Sequence, residues 1–109
     1  MQKGLVKYAF MLLAVSALTA TAVRADTPGQ KTYQAKCAGC HGADGKGQTG
    51  AGKALGAHDF TSPEIQKMSD EDLTKIIADG KNKMPPYGKS LSASEIKDLV
   101  AYIRGFAKK

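Results

Sequence analysis

Apolar positions recur every third or fourth residue near the C-terminal end of the chain. Ile96, Leu99, Val100, Ile103 and Phe106 share one face of a helix turning every ~3.6 residues. Ser92 and Glu95, three apart and just ahead of this stripe, form a capping box that sets where the helix begins. A second stripe of Leu73, Ile76 and Ile77 predicts a helix capped by Ser69, with Asp70, Glu71 and Asp72 at the positive end of its dipole and Gly80 as its stop. Pro63, after Thr61 and Ser62, suits the first turn of a short helix. Pro28 after Thr27 does the same for a helix running to about Lys36 and delivering the segment that follows. On that first helix Tyr33 and Cys37 are four apart and share a face, with Gly29 one turn earlier.

Elsewhere the pattern fades. Residues 42–60 carry six glycines and lack the period of a long helix or a strand, so they read as an irregular loop. So long a structureless stretch in a compact domain needs a reason, and wrapping a flat cofactor is one. Residues 81–91 (KNKMPPYGKSL) hold Pro85 and Pro86, which forbid helix and keep the chain extended. No segment alternates as a strand does. The expectation is an all-α domain of about four short helices joined by long loops.

The N-terminus has a different character. Lys3 and Lys7 precede an apolar run at residues 8–18, and Ala20, Thr21, Ala22, Val23 and Ala25 are small or short. This is the three-part pattern of a secretory signal, residues 1–25, cleaved after Ala25, with Ala22 as the alternative site. A membrane span needs ~20 apolar residues. This run is shorter and is broken by Ser16, Thr19 and Thr21. Residues 26–109 then form one small domain, of a size that often needs a covalent staple.

Removal of the signal changes the charge. The whole chain has 16 Lys plus Arg against 10 Asp plus Glu, a net +6. Losing Lys3, Lys7 and Arg24 leaves 13 against 10, a net +3. Only Arg104 remains of the arginines, so no nucleic-acid footprint is present. Export would take Cys37 and Cys40 into an oxidising compartment, where they must pair, bind metal or be capped.

Cys37-Ala38-Gly39-Cys40-His41 is a C-x-x-C-H motif, the signature of c-type haem attachment. Two sulfurs on one side of a helix end can add to the two vinyl groups along one haem edge, and His41 then offers a nitrogen to the iron. The other imidazole nitrogen needs an acceptor, expected among the carbonyls of the 42–60 loop. Three other readings compete. A thioredoxin-type pair expects a βαβ context that is missing. A plain disulfide is the second. A zinc site from Cys37, Cys40, His41 and His58 is the third, and the adjacency of Cys40 and His41 makes tetrahedral closure awkward. Two glycine motifs mislead. The G-x-G-x-x-G at residues 45–50 follows no strand, and GQTGAGKA at residues 47–54 has Ala54 where a phosphate loop needs a hydroxyl.

Beyond the motif, the chain resembles the small bacterial class I c-type cytochromes over essentially all of residues 26–109. Gly29 and Tyr33 match the glycine and aromatic ahead of their haem motif, Met84-Pro85 matches their M-P segment, and Leu99 and Tyr102 match the pair on their last helix. The resemblance implies the cytochrome c fold, with long loops around one covalent haem c and the first and last helices crossing. It also implies a soluble, monomeric electron carrier, periplasmic or otherwise exported, and not an enzyme. Cys37 and Cys40 would carry the thioethers, with His41 and Met84 as axial iron ligands. A neutral thioether ligand raises the haem potential, and the two prolines restrict the loop that presents it. Met68 and His58 are the rival sixth ligands. Lys81, Lys83 and Lys89 flank Met84 and would form a positive rim for acidic redox partners, with ordinary solvated lysines as the alternative. Two further readings are a haem enzyme or gas sensor with an open iron position, and a dedicated subunit of a larger oxidoreductase.

Overall fold

The computed structural model describes residues 26–108; the expected signal, residues 1–25, lies outside the described residues. Among the described residues six α-helices follow in order: α1 Pro28–Lys36, α2 Ala38–His41, α3 Gly50–Leu55, α4 Pro63–Gln66, α5 Asp70–Asp79 and α6 Ala93–Gly105. A 3₁₀ turn, Phe106–Lys108, follows α6. Among the described residues there is no strand, only an isolated antiparallel bridge between Lys81 and Met84. The fold is all-α as expected, with two more helices than the hydrophobic pattern predicted.

Capping side chains satisfy backbone donors that would otherwise be orphaned at helix starts, Ser69 and the Ser92–Glu95 box among them as expected. Thr27 Oγ1 accepts from Gln30 N–H at 3.1 Å, and Ser69 Oγ accepts from Asp72 N–H at 3.0 Å. Ser62 Oγ accepts from Ile65 N–H at 3.4 Å, with Pro63 in the first turn. The Ser92–Glu95 box is complete: Glu95 N–H donates to Ser92 Oγ at 3.0 Å, and Ser92 N–H donates to Glu95 Oε1 at 2.8 Å.

α1 ends at Lys36, as expected. Two short helices were not expected. Cys37, at φ −115°, interrupts the helix, and Ala38–His41 winds its own turn. The 42–60 loop contains α3, which has no apolar stripe and is held by tertiary contacts instead. Thr49 caps it by accepting from Gly52 N–H at 2.8 Å. The same hydroxyl donates back toward the motif turn, 2.9 Å from Cys40 O.

The first and last helices meet at Gly29, on which a Cβ would strike the Asp98 carbonyl oxygen and come within 3.3 Å of Tyr102 Cβ. Only glycine permits that approach. Around it Tyr33, Tyr102 and Phe106 pack ring against ring, with centroids 5.0–5.4 Å apart. The core adds Phe60, Ile65, Leu73, Ile77, Leu91 and the predicted α6 stripe of Ile96, Leu99, Val100 and Ile103. Tyr33, Leu99 and Phe106 are the largest fully buried side chains, and each such burial contributes ~1.5–3 kcal/mol. Ile76, expected in the buried stripe of α5, is only half-buried, because its side of the helix borders a cavity. Among the described residues no helix is long and apolar enough to cross a membrane.

Candidate functional site

That cavity, about 270 Å³, lies between the motif turn, α5 and the 81–91 loop. Cys37, Cys40, His41 and Met84 all line it, joined by Ile65, Leu73, Ile77, Pro85 and Ile103. The predicted site residues, 43 to 47 positions apart for Met84 and the motif, are thus brought to one apolar space. Both rivals line it too: Met68 from the α4–α5 junction and His58 from the long loop.

Each motif residue is fixed by its surroundings. The His41 Nδ1 lies 3.2 Å from the His58 carbonyl oxygen. Donation from Nδ1–H leaves the lone pair on Nε2, the tautomer a metal ligand needs. The acceptor expected from the 42–60 loop is therefore His58 O. The imidazole stacks on Phe60, centroids 4.1 Å apart and planes 18° from parallel. The backbone is clamped on both sides: Gly47 N–H donates to His41 O at 2.8 Å, and Tyr33 O–H donates to Gly42 O at 2.6 Å. Burial lowers the His41 pKa below its ordinary value; the His58 carbonyl opposes this and the His58 imidazole adds to it. Burial thus favours the neutral ring, the form that can coordinate.

Cys37 and Cys40 are half-buried and not bonded to each other. Burial, reinforced by the Cys40 thiol, pushes the Cys37 thiol up to about 11. Cys37 thus favours an uncharged sulfur. Among the described residues no three His, Cys, Asp or Glu side chains could hold a metal ion, so the zinc set of Cys37, Cys40, His41 and His58 is not assembled.

The 81–91 loop is as tightly specified. Lys81 and Met84 exchange backbone hydrogen bonds of 3.2 and 2.9 Å around Asn82, a non-glycine residue at φ +54°. Asparagine tolerates that left-handed region. Tyr87 and Gly88 N–H groups donate to Ile77 and Ala78 carbonyls, each at 2.9 Å, seating the loop on α5. Sequence reasoning missed the clamps made by Tyr33, Phe60 and Tyr87, since each joins residues distant in the chain. The only prior signal was a hydroxyl on two aromatics that packing alone does not require.

Does a haem suit these residues? Protein interiors leave few voids larger than a water molecule. A space of about 270 Å³ bordered by much of the core therefore calls for an apolar group. Two cysteine sulfurs and one imidazole on its wall match a porphyrin tethered through thioethers. The residues fit the group.

The chain is similar to known proteins. Residues 24–103 match the family model described as cytochrome c oxidase, cbb3-type, subunit III. The chain belongs to this family of c-type cytochrome domains and is a small monohaem class I c-type cytochrome. Cytochrome c6 of Nostoc sp. is 32% identical over 105 residues, which cover 92% of each chain. Cytochrome c-555 of Methylococcus capsulatus is 30% identical over 95 residues, 85% of this chain and 72% of that one. Among solved structures, the KustC0563 c-type cytochrome is 41% identical with a TM-score of 0.67, covering 72% of this chain and 95% of that one. The protein carries covalently bound haem c and is an electron-transfer protein, not an enzyme.

Proposed function

We propose that Cys37 and Cys40 form the two thioether bonds, that His41 and Met84 are the axial iron ligands, and that the protein is an exported, soluble one-electron carrier released by loss of residues 1–25. The observation that carries this reading is the meeting of Cys37, Cys40, His41 and Met84 on one apolar cavity, from segments far apart in sequence. The bound haem iron supplies a ferrous–ferric couple. The chain supplies position. The His58 carbonyl and Phe60 ring orient the His41 imidazole, while Tyr33 and Gly47 hold its backbone. The apolar side chains of Ile65, Leu73, Ile77 and Ile103 on the cavity wall limit the water near the iron.

Met84 is preferred over Met68 because its loop is built to present it. Two prolines follow it and two backbone hydrogen bonds bracket it. Met68 instead serves as packing against the core, the usual role of methionine. His58 gives its carbonyl to His41, which puts its backbone on the side of the proximal ligand. Lys81 and Lys83 stand exposed at the cavity edge and Lys89 is exposed further along the same loop. They form a positive rim that steers acidic redox partners to the monomer.

The test is carbon monoxide binding by the ferrous protein. The wild type excludes it, Met84→Ala gains it, and Met68→Ala and His58→Ala still exclude it. Gain of binding in Met68→Ala or His58→Ala instead would reassign the ligand; strong binding by the wild type would indicate a sensor. The name of the matching family supports one second reading, a subunit of a larger oxidoreductase. Purification as a free monomer distinguishes the carrier from the subunit.

A further inference from the structure

Tyr87 lies three residues beyond Met84 and is half-buried against the core, on the wall of the same cavity as Cys37, Cys40 and Met84. Its hydroxyl donates to the Lys36 carbonyl at 3.2 Å, joining positions 51 apart. Lys36 ends α1, where helix carbonyls lose their intrahelical donors, and the next residue is Cys37. The backbone of Tyr87 is anchored separately, its N–H donating to Ile77 O at 2.9 Å and its carbonyl accepting from Leu91 N–H at 2.9 Å. One residue therefore ties the Met84 loop to α5 through its main chain and to the start of the haem motif through its side chain. A phenylalanine would fill the same space without the second tie. Burial raises the Tyr87 pKa, so the hydroxyl keeps its proton for donation.

We infer that Tyr87 is a positioning residue for the methionine ligand: its hydroxyl latches the 81–91 loop to the end of α1 and sets how often Met84 leaves the iron. This rests on the Met84 ligation proposed above. A single net hydrogen bond is modest, and its loss should speed loop opening roughly fivefold.

The experiment uses the haem-loaded ferric protein and free imidazole as the probe. At saturating imidazole the rate of capture equals the rate at which the methionine position opens. Tyr87→Phe is expected to raise that limiting rate roughly fivefold and to lower the reduction potential, because a loosened thioether stabilises ferrous iron less. Ser90→Ala, which removes a 3.4 Å hydrogen bond to the Tyr87 carbonyl within the same loop, is expected to leave both unchanged. An unchanged rate in Tyr87→Phe, or an equal acceleration in Ser90→Ala, overturns the latch. Met84→Ala separates the two proposals. If it removes the slow opening step while Tyr87→Phe changes nothing, ligation stands and the latch falls. If it leaves capture unchanged, the ligation reading falls and the latch with it.

Discussion

Gly80 shows how a single position governs the proposed methionine ligand. Its φ of +80° is a left-handed conformation that L side chains rarely adopt. A Cβ there would also lie 2.7 Å from the Met84 carbonyl oxygen and 3.0 Å from Pro86 N. Gly80→Ala should therefore cost ~1–3 kcal/mol in urea unfolding of the haem-loaded protein, and should displace the loop that carries Met84. Unchanged stability would mean that the loop has room to yield. The stop signal at Gly80 was legible in the sequence, but its contact with Met84 was not, because nothing local says that the loop folds back over the helix end. The same divide runs through the site. C-x-x-C-H announces its own chemistry by spacing. The His58 carbonyl, the Phe60 stack and the Tyr33 hydroxyl are long-range partners that no local pattern encodes.

Among the elements, α6 and α5 were readable because amphipathic periodicity and caps agree. Thr27, Ser62, Ser69 and Ser92 all cap as their positions suggest. Gly50–Leu55 was not readable. A glycine-rich hexapeptide has poor helix propensity, and its helix depends on Thr49 and on packing against the motif turn. How α6 is joined to α4 and α5 was equally hidden. Arg104 donates to the Gln66 carbonyl at 3.0 Å and the Met68 carbonyl at 2.6 Å, and pairs with Asp70 at 2.7 Å. Gln66 Nε2 donates in turn to the Phe60 carbonyl at 2.7 Å. The carbonyl contacts should outweigh the ion pair, since Asp70 is 71% exposed and such pairs contribute ~0–1 kcal/mol. Arg104→Ala is accordingly expected to lower stability by ~1–3 kcal/mol, and Asp70→Asn by less than ~1 kcal/mol. Equal losses in the two variants, measured by chemical denaturation, would shift the weight to the ion pair.

At the scale of the molecule, the cavity decides what the domain can do alone. Its wall is shared with the core residues Ile65, Leu73, Ile77 and Ile103. The haem is therefore part of the core as well as the redox centre, and binding energy is folding energy. A Cys37→Ala, Cys40→Ala chain prepared without haem is expected to lack a cooperative unfolding transition and a dispersed NMR spectrum. A well-dispersed spectrum would show that the helices hold without the cofactor. The most direct test of the account is the intact mass of the purified mature protein under denaturing conditions, which strip any haem that is merely bound. The account predicts residues 26–109 plus one haem, and a coloured polypeptide; the mass of the bare chain would contradict it.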